Sequence, residues 1–265
     1  MFSTQKALAV LVLLLALGGV GYVGYKDFYK KSVAPETKTT TTGGIGVTTG
    51  TNDDVTVKPL PIFTPNPSVP KPSLERAISF ANSSMPPEAQ AIMRTKITEA
   101  IIAIKADPNS FEAWNNLALY RKAIGDHEGA RLVWEYLNTM SPDNFISFVN
   151  LGDLYHFYLK NYSKSEANFL QAIKNGPVEM NTYLGLHELY KLSYRKETTR
   201  AADILKQGLA KAPKSIDLMI TLASYYKEKG DTSNARTYYE QALVEAKVKG
   251  NTTLIATLEE EIKNL

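Results

Sequence analysis

A set of residue columns recurring every 34 to 36 residues constrains the C-terminal part of this chain more than any other feature. Trp114, Phe148, Tyr183 and Met219 form one column, and Leu117, Leu151, Leu186 and Leu222 form a second, three residues on. Ala118, Gly152, His187 and Ala223 make a third, mostly small, and Arg121, Tyr155, Tyr190 and Tyr226 a fourth. A later stretch repeats in step. It carries Ala130, Ser165, Ala201 and Ala235, then Trp134, Phe169, Leu205 and Tyr239, then Leu137, Ala172, Gly208 and Ala242. Pro142, Pro177 and Pro213 close three of the units, and Pro108 closes the helix before them. Offsets of three, four and seven put each set on one helical face, so every unit reads as helix, turn, helix. No alternating strand pattern of useful length occurs between 74 and 265.

The columns have a packing reason. A large residue on one helix needs a small one opposite if paired axes are to approach to about 8–10 Å. Gly125-Asp126 and Gly230-Asp231 supply turns between helices. Proline ends a helix because it lacks an N–H and clashes with the preceding turn. The pattern resembles the tetratricopeptide repeat, whose 34-residue unit reads W-x₂-L-G-x₂-Y…A-x₃-F…P. The first copy, EAWNNLALYRKAIGDHEGARLVWEYLNTMSP, departs from it at Arg121 in the tyrosine column. The second has one extra residue near its turn. The third has His187 for a small residue, Gly208 for alanine and two extra residues around Tyr194–Thr199, and the fourth lacks the final proline. The resemblance implies an all-α solenoid of about four repeats whose first helices line a concave protein-binding face.

The rest of the chain divides by composition. Ala7–Tyr25 has 19 residues without a charge, about 28 Å as a helix and close to the roughly 30 Å hydrocarbon core of a bilayer. Lys6 precedes it, and Lys26, Lys30 and Lys31 follow. We expect 1–31 to be a single transmembrane anchor with basic flanks, the alternative being a signal cleaved near Gly18 or Gly19. Residues 32–73 hold ten Thr and seven Pro with Phe63 the one aromatic, the composition of a disordered linker. Within it GGIGVTTG (Gly43–Gly50) lacks the spacing and flanking strand of a phosphate loop. Residues 74–110 read as N-terminal capping helices or a degenerate repeat. Leu74, Ala77, Ile78 and Ala81 have helical spacing, and a second stripe of Ala89, Ile92, Met93, Ile97, Ala100, Ile101 and Ile104 ends at Asp107-Pro108. The repeats cover 111–247, and 248–265 reads as a C-terminal capping helix with Leu254, Leu258, Ile262 and Leu265 on one face. The Thr/Pro stalk suggests that the repeats lie outside the membrane, in a bacterial cell envelope, although the Lys/Arg count alone favours the cytoplasm.

Several function classes are excluded or disfavoured. Cysteine is absent, which removes thiolate metal sites, disulfides and cysteine nucleophiles. The net charge of +3 resides wholly in residues 1–73, while 74–265 hold 23 residues of each sign, so no basic face suits nucleic acid. Carboxylates are dispersed, no catalytic motif occurs, and His127, His156 and His187 form no ligand set. We therefore expect no enzyme, no cofactor and no metal site. His187, in the packing column, should be structural and His127 a solvated turn residue.

What remains is the groove that the resemblance implies. Its positions here are Asn115, Asn116, Leu119 and Lys122 from the first unit, and Val149, Asn150, Asp153, His156 and Phe157 from the second. The third unit adds Leu184, Glu188 and Lys191, and the fourth Ile220, Ser224 and Lys227. Leu184 and Glu188 stand where the carboxylate-clamping subfamily needs basic groups, so a chaperone-tail ligand is disfavoured. The aromatic run Tyr155–Tyr162, with Phe157, Tyr158 and Tyr162, is a candidate anchor. The expected function is a membrane-tethered scaffold binding a protein or peptide. The alternatives are a secreted or periplasmic soluble adaptor, and a non-catalytic factor of cell-wall or glycan assembly.

Overall fold

Short polar residues set the helix starts. Ser110, Asp126, Asn161, Ser215, Asp231 and Asn251 each accept a hydrogen bond from the backbone N–H three residues on. The computed structural model describes residues 69–81, 85–176, 179–194, 196 and 199–265. Among them the architecture is all-α, with ten α-helices, one π-helical turn and no strand. In chain order these are α1 (Pro87–Ala106), α2 (Phe111–Ala123), α3 (His127–Met140), α4 (Ile146–Phe157) and α5 (Tyr162–Asn175). They continue with α6 (Met180–Glu188), α7 (Arg200–Lys211), α8 (Ile216–Glu228), α9 (Thr232–Val248) and α10 (Thr252–Lys263). The π turn, Leu189–Ser193, follows α6 directly.

Each helix packs chiefly on its neighbours in sequence, giving the stacked pairs α2/α3, α4/α5, α6/α7 and α8/α9. The repeat columns form the core. Trp114, Leu117, Ala118, Ala130, Trp134 and Leu137 are buried together with α1 residues Met93, Ile97 and Ile104. Phe169, Tyr183, Leu186, Leu205, Leu218 and Leu222 continue the core through the middle, and Met219, Ala223, Tyr239 and Ala242 bring it to α10. There Leu258 is buried, and Leu254, Ile262 and Leu265 are partly so, which closes the C-terminal end. The small column acts through close approach: a Cβ added to Gly152 would lie 2.6 Å from the Phe169 ring. In the third pair the side chain of His187 fills that column, donating from Nδ1 to the Ala201 carbonyl at 2.7 Å. Gly208, on the facing helix α7, gives close approach elsewhere, to Leu218 and Tyr183, where a Cβ would lie 2.8 and 3.0 Å away. The π turn accommodates extra residues without breaking the helix.

One expectation fails. Leu74–Ala81, whose apolar spacing predicts a helix, is non-helical, with a turn at Leu74-Glu75. The segment lies as a strap against the first pair. Leu74, Ile78 and Phe80 are half-buried on its core, and the Ala81 N–H donates to the Ile124 carbonyl at 3.1 Å. The period-two set Leu74, Ile78, Phe80 wins over the helical set because α1 and α2 offer an apolar shelf and the Arg121 guanidinium donates to the strap carbonyls of Arg76 and Ala77. The expected anchor, 1–31, and most of the linker fall outside the described residues, among which no helix is long and apolar enough to cross a membrane.

Candidate interaction surface

The first helices, α2, α4, α6 and α8, carry the groove positions deduced from the repeat register except Lys191, which lies in the π turn after α6, and the structure divides those positions into three kinds. Some are consumed by packing. Asn115 is 5% exposed, and its Oδ1 accepts from Trp134 Nε1 at 2.9 Å and from Asn150 Nδ2 at 3.3 Å. It ties the second helix of its own unit to the first helix of the next. His156 is 1% exposed, with Nε2 2.9 Å from Ser193 Oγ. Neither side chain faces a ligand, contrary to the groove expectation, because the adjoining pair covers both.

Others bridge neighbouring pairs. Lys122 bonds Asp153 of the next unit. Lys191 donates to Glu228 at 2.7 Å and Lys227 to Glu261 on α10 at 2.9 Å. With His156–Ser193 these contacts form a ladder in which the same column position of each unit reaches forward to the next element. Lys227 and Glu261 are well exposed, so that rung contributes little to stability. The ladder links successive pairs and takes four predicted groove residues, Lys122, Asp153, Lys191 and Lys227, out of the free set.

The remainder is open. Asn116, Leu119, Val149, Leu184, Glu188 and Ile220 are half-buried, and Asn116 and Glu188 make no side-chain hydrogen bond among the described residues. Ser224 Oγ lies 3.0 Å from Tyr239 Oη. Phe157, at 37%, is exposed. The face left to a partner is thus apolar in the middle with one amide and one carboxylate, rather than an array of charges.

A second ladder explains the odd member of the tyrosine column. The Tyr155 hydroxyl donates to Glu135 on the preceding unit, and Tyr190 donates to Glu166 at 2.7 Å, where Arg200 also reaches at 3.2 Å. Burial, reinforced by these carboxylates, pushes both phenols well above the ordinary tyrosine range. The first unit has no preceding pair. Its column residue, Arg121, is 1% exposed and donates to the strap carbonyl of Arg76 at 3.0 Å and to Asp126 at 2.8 Å. Arg76 in turn makes a two-pronged pair with Asp126 at 2.7 and 2.6 Å. Burial works to raise the Asp126 carboxyl, but hydrogen bonds from Arg76, the Gly129 N–H and Arg121 outweigh it and hold it below the usual range. Arg121 was legible as a departure from the column. That it binds the strap was not, since the acceptors there are backbone carbonyls.

The histidines carry no chemistry that this arrangement would use. Burial lowers the pKa of all three, and Lys122 adds to the effect at His127. His127, expected to be solvated, is half-buried against Tyr158, with ring centroids 4.2 Å apart. Among the described residues no group of His, Asp or Glu side chains is placed to hold a metal ion.

Comparison with known proteins agrees with the fold. Tetratricopeptide repeat models match residues 103–131 and 216–243. Tetratricopeptide repeat protein 8 of Mus musculus is 32% identical over 95 residues, which is 36% of this chain and 18% of that protein. The match therefore spans under a fifth of the relative's length. Among solved structures, MamA is similar with a TM-score of 0.51 at 19% identity, covering 62% of this chain and 94% of that one. Pseudomonas aeruginosa PilF gives 0.50 at 16% identity, covering 66% and 85%. At such identities the likeness concerns the fold alone. The repeat columns, the stacked helix pairs and these matches together place the chain in the tetratricopeptide repeat family.

Proposed function

We propose that this chain is a membrane-tethered scaffold that binds a protein partner, as an extended peptide or a helix, along the face of its first helices. The observation that carries the reading is the open strip of Asn116, Leu119, Val149, Leu184, Glu188 and Ile220. Its apolar members lean partly on the core but keep a solvent-facing side, and Lys122–Asp153, Lys191–Glu228 and Lys227–Glu261 link successive pairs along it. Apolar side chains with a few placed polar groups suit a protein segment, whose backbone an asparagine can both donate to and accept from. A non-catalytic role fits the same strip, since nothing in it pairs a nucleophile with a base. The uncharged stretch Ala7–Tyr25 supports the tether, and the Thr/Pro-rich linker supports a domain held off the membrane on its outer side.

The test has two parts. Partner co-purification with the full-length chain is compared for wild type and the double variant Asn116→Ala/Glu188→Ala. Both substitutions sit at half-buried positions without side-chain hydrogen bonds, so the thermal midpoint should stay within a few degrees while the partner is lost. Retention of the partner at wild-type level would count against the groove. For the tether, alkaline carbonate extraction should leave the chain in the membrane fraction. Release, together with an intact mass that begins near Gly18 or Gly19, would replace the tether with a soluble secreted adaptor. Loss of a glycan rather than a protein in the double variant would favour the assembly-factor reading.

A further inference from the structure

Three large apolar side chains stand at the turn edge of the two middle pairs: Phe157 at 37%, Tyr158 at 45% and Leu192 at 49% exposure. Phe157 and Tyr158 end α4, and Leu192 lies in the π turn that ends the first helix of the next pair. The His156–Ser193 hydrogen bond joins these two ends, and the Tyr162 and Tyr194 rings lie 6.4 Å apart across the same junction. Tyr158 is held from the other side by the His127 ring at 4.2 Å and by Lys122 Nζ at 5.2 Å. The ridge is therefore a fixed surface. At the equivalent turns of the outer pairs the chain runs Ile124-Gly125-Asp126, with Ile124 buried, and Lys229-Gly230-Asp231.

The same turn holds a backbone oddity. The residue before the helix cap has φ of 83° at Gly125 and 76° at Gly230, but in the second pair it is Lys160, at 53°. A side chain in the left-handed region costs about 1 kcal/mol where glycine would not, so an unstrained alternative exists in this very chain. Lys160 is exposed and has no carboxylate partner among the described residues, and the same holds for Lys196, two residues beyond Tyr194. Strained residues gather where function requires a particular side chain.

We propose that this turn edge is a second docking surface, beyond the strip of Asn116, Leu119, Val149, Leu184, Glu188 and Ile220 and sharing none of those residues, for an acidic protein segment that carries aromatic side chains. Its carboxylates would meet Lys160 and Lys196, and its rings would cover Phe157, Tyr158 and Leu192. Rigid aromatics anchoring a patch rimmed by charge is the usual layout of an interaction hot spot. The surface does not depend on the groove reading, and the test keeps the two apart.

The probe is a random glutamate–tyrosine copolymer, compared with polyglutamate, binding to the full-length chain in detergent micelles. We expect the copolymer to bind at least tenfold tighter than polyglutamate. Phe157→Ala/Tyr158→Ala should weaken it at least tenfold, and Lys160→Gly severalfold without lowering the melting temperature. Asn116→Ala/Glu188→Ala should leave it unchanged. Equal affinity for polyglutamate would overturn the proposal in favour of bare charge attraction. Insensitivity to the Phe157, Tyr158 and Lys160 variants, or loss of binding in the groove variant, would overturn it too. So would tighter binding to phosphatidylglycerol than to phosphatidylcholine vesicles with the same residue dependence, which would assign the edge to a lipid surface.

Discussion

Asp126→Asn tests the N-terminal closure with little collateral change, because asparagine caps a helix as well as aspartate does. The Gly129 N–H keeps its acceptor, Oδ1, while the charge and the oxygen that faces Arg121, Oδ2, are removed. That charge is what balances Arg121, a guanidinium 1% exposed whose other partners are strap carbonyls at 3.0 and 3.5 Å. Breaking a buried pair by neutralising one member costs about 3–5 kcal/mol. The low end applies because Arg121 keeps its two strap carbonyls, although its bond to Oδ2 is lost: an asparagine whose oxygen caps Gly129 turns its NH2 towards the guanidinium. The outer partner, Arg76, is 39% exposed in its side chain and adds little. About 3 kcal/mol corresponds to a fall of roughly 6–12 °C in melting temperature for a domain of this size. The control lies in the same chain. Asp231 caps α9 through the Asn234 N–H at 3.0 Å and is not paired with a cation among the described residues, so Asp231→Asn should melt with the wild type. Stacked pairs can open separately, so hydrogen exchange should accompany the melt, with protection falling first in the strap (69–81) and in α2 and α3. Equal melting of the two variants, or unchanged exchange at residues 76–81, would refute the claim that the Arg121–Asp126 pair holds the strap.

Other perturbations follow from the same contacts. Gly152→Ala forces a methyl to within 2.6 Å of the Phe169 ring and should cost about 1–3 kcal/mol, read as a lowered urea midpoint. Burial depresses the His187 pKa, so its neutral form is favoured in the folded state and the unfolded chain binds the extra proton. Stability should therefore be flat above pH about 6.5 and decline as pH falls below it. His187→Asn, which can keep an N–H directed at the Ala201 carbonyl, should flatten that slope in a pH series of thermal melts. An undiminished slope would point to His127 and His156 instead.

The parts of the fold that could be read from the sequence are those fixed by packing columns. Trp114, Leu117, Ala118, Trp134 and Leu137 are fully buried as their spacing requires, because no other arrangement lets large and small residues interlock over several units. The strap was misread for an equally physical reason. Leu74, Ala77, Ile78 and Ala81 satisfy a helical period and Leu74, Ile78 and Phe80 a strand-like one, and a segment this short is decided by what lies beside it. Arg121 flagged the spot, but its acceptors in the strap are main-chain carbonyls, which have no sequence signature. The groove was half legible. The repeat register puts Asn115 and His156 on the correct helices, yet their burial depends on Trp134, Asn150 and Ser193 reaching them from other elements. Likewise, the forward bridges of Lys122, Lys191 and Lys227 become visible only once the pairs are stacked.

The central claim is that the face of the first helices is where a partner protein sits. A photo-crosslinking amino acid placed at Asn116 or Glu188 of the full-length chain, irradiated in intact cells, tests it most directly. Arg236, exposed on the second helix of the last pair, is the control position. The account predicts a discrete protein adduct from positions 116 and 188 and none from 236. Adducts of the same mass from all three positions, or adducts from 236 alone, would contradict it.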